Sequence, residues 1–146
     1  MKGSIDLYLK KSSNFKEILD CFDCIRRHWS IYDFRTGYFS CFYDDDFNWK
    51  SYTHLDENAA ISELQKRIER EAVCAIMIYT KTPYERNGMT YTGGQLLFLN
   101  KLQISLIIDV NTLRINATKE VDFDFYFKGL YVCFMPILDH YDFVYE

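Results

Sequence analysis

Apolar and polar positions alternate over residues 4–9, Ser-Ile-Asp-Leu-Tyr-Leu, with the two-residue period of a strand buried on one face. The period then changes. Phe15, Ile18, Leu19, Phe22, Ile25 and Trp29 recur at steps of three and four behind Ser12, Ser13 and Asn14, each of which can cap a helix N-terminus. This pattern predicts an amphipathic helix of about four turns. Residues 38–43 predict a second strand. A second helix runs from a cap at Thr53 or Asp56 to about residue 71, with Ile61, Leu64 and Ile68 inward and Glu63 paired with Arg67 outside.

Residues 73–79 are apolar on both faces, as in a central strand. Asn87-Gly88 tolerates the positive φ of a type I′ turn and predicts a hairpin. Pro83, without an N–H, belongs at a sheet edge or in the end loop of that hairpin. Gly93-Gly94 predicts a bulge ahead of a strand over 96–99. Further strands are expected over 104–109, 113–117, 121–127 and 130–135. Two helices and six to eight strands make a single α+β domain over residues 1–146, with the helices on one face of a mainly antiparallel sheet.

Composition narrows the setting. The 146 residues are 49% apolar, with two prolines and six glycines, so neither disorder nor a linker is indicated. Met1 to Asp6 turns polar before a signal-peptide core can form, and no apolar run reaches the roughly 18 residues of a membrane span. A cytoplasmic protein is expected, with its five cysteines as reduced thiols. In that compartment the Asn116-Ala117-Thr118 glycosylation match has no meaning.

Candidate chemistry is sparse. Cys21-x-x-Cys24 falls in the middle of the first helix rather than at its N-terminus, where a thiol would be activated, and reads as two ordinary helix thiols. No second Cys-x-x-Cys or His pair completes a zinc set, so no metal is expected. His28, His54 and His140 are scattered, Cys74 and Cys133 lie in apolar strand contexts, and Gly93-Gly94 lacks the lysine of a phosphate loop. Asp44-Asp45-Asp46 has neither the alternation nor the glycine of a calcium loop. On a strand, Asp122, Asp124 and Tyr126 would share a polar face opposite Val121, Phe123, Phe125 and Phe127. These features favour a binding protein with no cofactor over an enzyme, although a catalytic site assembled only in three dimensions would leave no such trace.

Charge distribution points to the surface. The formal net charge of −4 disfavours nucleic acid as a direct ligand. From Glu120 to Glu146 six acids face one lysine, among nine of the 26 aromatic residues. Aromatic residues ringed by carboxylates suit an interface with a basic partner. The expected partner-binding residues are Tyr43, Asp44, Asp45, Asp46, Trp49, Asp122, Asp124, Tyr126, Asp139, His140, Tyr141 and Asp142.

A small acidic α+β domain with aromatic–acidic surface segments and no catalytic signature resembles the bacterial immunity proteins that neutralise polymorphic toxins, including those of contact-dependent growth inhibition. The resemblance lies in size, charge and α+β character; the Trp-Gly signature of one large immunity superfamily is absent. It implies a cognate toxin domain as partner, most often a basic nuclease, with Asp44, Asp45 and Asp46 standing in for substrate phosphates. Another interaction module, such as a phage-borne nucleic-acid mimic or a homo-oligomer subunit, is the alternative.

Overall fold

A computed structural model describes residues 2–86, 88–115 and 118–145. The elements are β1 (Gly3–Leu9), α1 (Phe15–His28), β2 (Phe39–Phe42), β3 (Lys50–Tyr52), α2 (Glu57–Glu69), β4 (Cys74–Arg86), β5 (Met89–Asn100), β6 (Gln103–Val110), α3 (Phe123–Phe134) and β7 (Leu138–Tyr145). A 3-10 turn, His54–Asp56, leads into α2. All seven strands join one antiparallel sheet in the order β3-β2-β4-β5-β6-β1-β7. The α+β class and the antiparallel sheet agree with the sequence reading.

Alternation along each strand decides which face is covered. Ile5 and Leu7, Ile76 and Ile78, Leu96 and Phe98, and Ile104, Leu106 and Ile108 point to one side and are fully or almost fully buried. They form a single core with Ile18, Phe22 and Ile25 of α1, Ile61, Leu64 and Ile68 of α2, and Tyr126, Leu130 and Phe134 of α3. Of the intervening positions, Asp6, Tyr8, Met77, Gln95, Leu97 and Ile107 are only half-buried, while the small Ala75 and Ser105 are buried. The opposite sheet face therefore carries no layer of helix.

Local signals place the first helix well. Asn14 is its N-cap: its side chain accepts from the Glu17 N–H, and the Glu17 carboxylate accepts from the Asn14 N–H, a reciprocal capping box. In α2 the expected Glu63–Arg67 pair does not form. Glu63 instead meets Lys66 at 3.4 Å, while Arg67 turns to Asp45 and to the Val73 carbonyl. Gly88 has φ +78° between the paired Arg86 and Met89, in agreement with a two-residue hairpin turn; Asn87 lies outside the described residues.

The bulge also lies where the glycines put it. Gly93 pairs with Val110 and Gly94 with Ile108, which leaves Asp109 as the extra residue on β6. A Cβ on Gly94 would stand 2.2 Å from the Ile107 carbonyl oxygen, so only glycine allows the two backbones this close.

The main departure is α3. The strands expected over 121–127 and 130–135 are one helix, Phe123–Phe134. The apolar run satisfies both periods: 121, 123, 125 and 127 alternate, but Phe123, Tyr126, Leu130, Cys133 and Phe134 also recur at helical steps, and these are the buried ones. Asp122 settles the choice locally by accepting from the Phe125 N–H as N-cap. Over 113–117 only an isolated bridge, Arg114 to Val121, replaces the expected strand; Asn116 and Ala117 lie outside the described residues. The chain then ends in β7, which was not anticipated.

Tyr126 ties the helix to the sheet. Its hydroxyl accepts from the Leu113 N–H at 2.8 Å and lies 2.6 Å from Thr92 Oγ1. Thr92 donates its one hydroxyl proton to the Val110 carbonyl at 2.8 Å, so Tyr126 must donate to Thr92. Tyr126→Phe would leave a buried N–H without its acceptor, and is expected to lower unfolding stability by about 1–3 kcal/mol in urea titrations. A change within experimental error would show that this hydroxyl does not hold the helix.

Candidate binding surface

The aspartate triplet follows β2 in a tight loop, and its three carboxylates have separate roles. Asp44 Oδ1 accepts from the Asp46 N–H at 3.1 Å and the Asn48 N–H at 3.2 Å, so it closes the turn from within. Asp45 pairs with Arg67 and fastens the loop to the last turn of α2. Asp46 makes no side-chain hydrogen bond or ion pair among the described residues. The neighbouring aromatics are also engaged. Phe42 is buried on the uncovered sheet face beneath Phe47 and Trp49, whose rings meet it edge-on at 5.4 and 5.0 Å. Phe47 holds a left-handed φ of +55°, unusual for a bulky residue, while remaining 56% exposed. The Tyr43 and Tyr52 hydroxyls bond to one another, and Lys50 sits over the Tyr43 ring.

The second acidic group is reorganised by α3. Asp122 is a helix cap, Asp124 lies exposed in the first turn, and Tyr126 is fully buried. Tyr126 is therefore no partner-binding residue, and the three do not share a face. The cause is the helical step, which sends side chains two apart to different sides.

The C-terminal group gathers where the sequence concentrated acid and aromatic residues. β7 is an edge strand that, among the described residues, pairs with β1 on one side and with no strand on the other. On its helix side, Phe143 stacks on Phe123 at 4.8 Å and Tyr141 lies 4.2 Å from Phe127, yet Tyr141, Phe143, Tyr145 and the nearby Tyr131 all remain exposed. On the uncovered side, His140 stacks on Tyr8 at 4.5 Å, with its Nδ1 2.7 Å from Asp139 Oδ2. Asp142 stands directly opposite Asp6 in the β1–β7 register. Ser105 donates to Asp6 at 2.7 Å.

The two acidic regions do not merge. The triplet lies beside β2 and β7 is the far edge, so by sheet spacing they are roughly 25 Å apart. The stronger candidate is thus the β7 edge: free backbone, exposed aromatics on one side and carboxylates on the other. Asp6 was missed because it lies 136 residues from Asp142 in the chain. A central position in the alternating 4–9 strand was its one available signal.

One cleft and two thiols are each accounted for by local structure. A cleft of about 510 Å³ between α1 and α2 is lined by Asp23, Arg26, Tyr32 and Glu57 among others, but these groups satisfy each other: Tyr32 donates to Glu57, and Arg26 meets Glu57 at 3.3 Å. Burial pushes the Cys41 and Cys74 thiols up to about 12, far from a reactive thiolate. The expectation of five reduced thiols is corrected at one pair, since Cys24 and Cys133 form a disulfide between α1 and α3. With α3 read as strands, Cys133 had no reason to face Cys24.

No helix is long and apolar enough to cross a membrane among the described residues. No protein-family model, curated protein or solved structure matches this chain.

Like charges directly across an antiparallel pair repel. Asp142→Asn is therefore expected to stabilise the isolated protein by roughly 0.2–1 kcal/mol at low ionic strength, with the gain shrinking as salt is added. Denaturant titrations at two salt concentrations measure this; destabilisation would mean that the carboxylate has a structural partner instead.

Proposed function

We propose that this protein is an immunity-type inhibitor, which binds and neutralises a cognate basic toxin domain of the nuclease class through its β7 edge. The observation that carries this reading is the placement of Asp142 opposite Asp6, beside the Tyr8–His140 stack and the free edge of β7. In the isolated molecule that carboxylate pair is unfavourable. A lysine or arginine supplied by a partner would neutralise it, while the exposed Tyr141 and Phe143 contribute large, stiff contact surfaces. Exposed edges are commonly blunted by charge against unwanted pairing, and the acids of β7 serve that purpose until the right partner arrives.

The triplet enters this reading as a secondary contact only, because Asp44 and Asp45 are already used by the loop. A homo-oligomer is the second reading, and the free edge itself favours it, since two copies of β7 could pair across a two-fold axis.

The test mixes this protein with the toxin domain encoded by the adjacent upstream gene and follows nuclease activity. Inhibition by the wild type is expected. Asp6→Asn combined with Asp142→Asn should slow association on the order of tenfold and flatten its salt dependence. Unchanged toxin activity with the wild type would remove the immunity reading. Full inhibition with unaltered kinetics by the double variant would remove the β7 surface. Concentration-dependent dimerisation, abolished by Tyr141→Ala, would favour the homo-oligomer.

A further inference from the structure

Cys24 and His28 stand four residues apart on α1 and so project from one face of the helix. Cys133 reaches the same point from α3, 109 residues later in the chain. The two sulfurs and an imidazole nitrogen all lie within 4.8 Å of one another. Cys133 is buried, Cys24 is half-buried and His28 is exposed, so the cluster runs from the helix interface to solvent.

The supporting frame is closely packed. One turn along the same interface, the Trp29 indole packs on Gly129 and donates to its carbonyl at 3.2 Å. A Cβ on Gly129 would come within 2.8 Å of that ring, so the glycine sets how closely the helices approach. Contacts Cys24–Cys133 and Trp29–Gly129 run in opposite chain directions, which makes the two helices antiparallel. An open groove of about 410 Å³ is lined by Cys24 and Cys133 together with Cys21, Glu17 and Asp20, while His28 lies outside it. His28 lies in the last turn of α1, where unpaired carbonyls favour a cation.

Two thiolates and an imidazole are a borderline-soft donor set that suits zinc, and three protein ligands leave the fourth tetrahedral position open to water. We propose that Cys24, His28 and Cys133, once the disulfide is reduced, form a three-ligand site for a divalent cation of the zinc class. Disulfide and metal are then alternative occupants of one position.

The exchange balances. A dithiol gives two electrons and two protons to the Cys24–Cys133 bond, which opens to two thiols while the dithiol closes to its own disulfide. Binding of Zn²⁺ forms two S–Zn bonds and one N–Zn bond and releases the two thiol protons to solvent. In reverse, a disulfide oxidant accepts two electrons from the bound thiolates, the S–S bond re-forms and the cation leaves. Cys21, Cys41 and Cys74 take no part; all three are buried and free.

The experiment uses the full chain, reduced with a phosphine and titrated with Co²⁺ followed by Zn²⁺. Reduced protein should take up one Co²⁺ per chain, with thiolate-to-cobalt charge-transfer and tetrahedral d–d absorption, and Zn²⁺ should bleach both. The disulfide form should show neither. Because His28 is exposed, His28→Ala leaves the core intact and should weaken Co²⁺ binding roughly tenfold or more. Cys24→Ser should abolish the charge-transfer band or weaken it similarly, whereas Cys74→Ser should leave it unchanged. Added Zn²⁺ should also raise the Tm of the reduced protein. The proposal is overturned if reduced wild-type protein binds no Co²⁺, or if His28→Ala and Cys24→Ser bind it as the wild type does.

Discussion

One-sided burial governs this molecule. Seven antiparallel strands alternate their side chains, and three helices fill only one of the two faces. The covered face takes the fully buried aliphatic side chains of the strands, while Leu97 and Ile107 on the other face stay half-buried. That other face is built differently at its two ends. Near β2 the chain folds Phe47 and Trp49 back over Phe42, a local aromatic cover in place of a helix. Near β7 the described residues place no such cover, and the face carries a Tyr8–His140 stack and the Ser105–Asp6 hydrogen bond. Aromatic cover and polar surface are two answers to the same geometric shortage.

The same constraint explains why carboxylates adjacent in the chain behave as they do. Asp44, Asp45 and Asp46 are consecutive, and a tight loop cannot aim three neighbouring side chains at one target. Asp44 turns inward to its own backbone and Asp45 reaches sideways to α2. Asp6 and Asp142 come from opposite ends of the chain, yet pleating and register put them on one face in direct opposition. A pair made by register is a more demanding electrostatic arrangement than a triplet made by sequence. For this reason β7, rather than the triplet, holds the carboxylates that face one another without closing a loop or pairing with a helix.

Elements with one unambiguous period were legible in the sequence: β1 from its alternation, α1 from its stripe and cap, α2 from Ile61, Leu64 and Ile68, and the bulge from Gly93-Gly94. α3 was not, because Phe123 to Phe134 is so rich in apolar residues that strand and helix periods both fit. Only the Asp122 cap and the docking of Tyr126 on Thr92 separate the two, and the second is a contact between distant parts of the chain. Misreading α3 carried further errors with it. It placed Tyr126 on a polar face, hid Cys133 from Cys24, and left β7 without an assigned strand. His140, Tyr141 and Asp142, expected to bind a partner, lie exposed on β7, in the segment that composition marks. What composition could not supply was their neighbour across the ladder, Asp6.

α3 is also the physical link between the two candidate sites. Its N-terminal half presents Phe123 and Phe127 to the aromatic side of β7, and its C-terminal half presents Cys133 to α1. Only a short turn, closed by the Ile137 N–H to the Phe134 carbonyl, separates the helix from the start of β7. A disulfide or a metal at Cys133 clamps the helix to α1 at the end nearest that turn, so either occupant restrains the segment that supports Tyr141 and Phe143. The fully reduced, unoccupied form lacks that clamp and keeps the Trp29–Gly129 contact, the Tyr126 hydrogen bonds and the core packing of Leu130 and Phe134. The cysteine cluster and the aromatic side of β7 thus meet on one twelve-residue helix, α3, at its opposite halves.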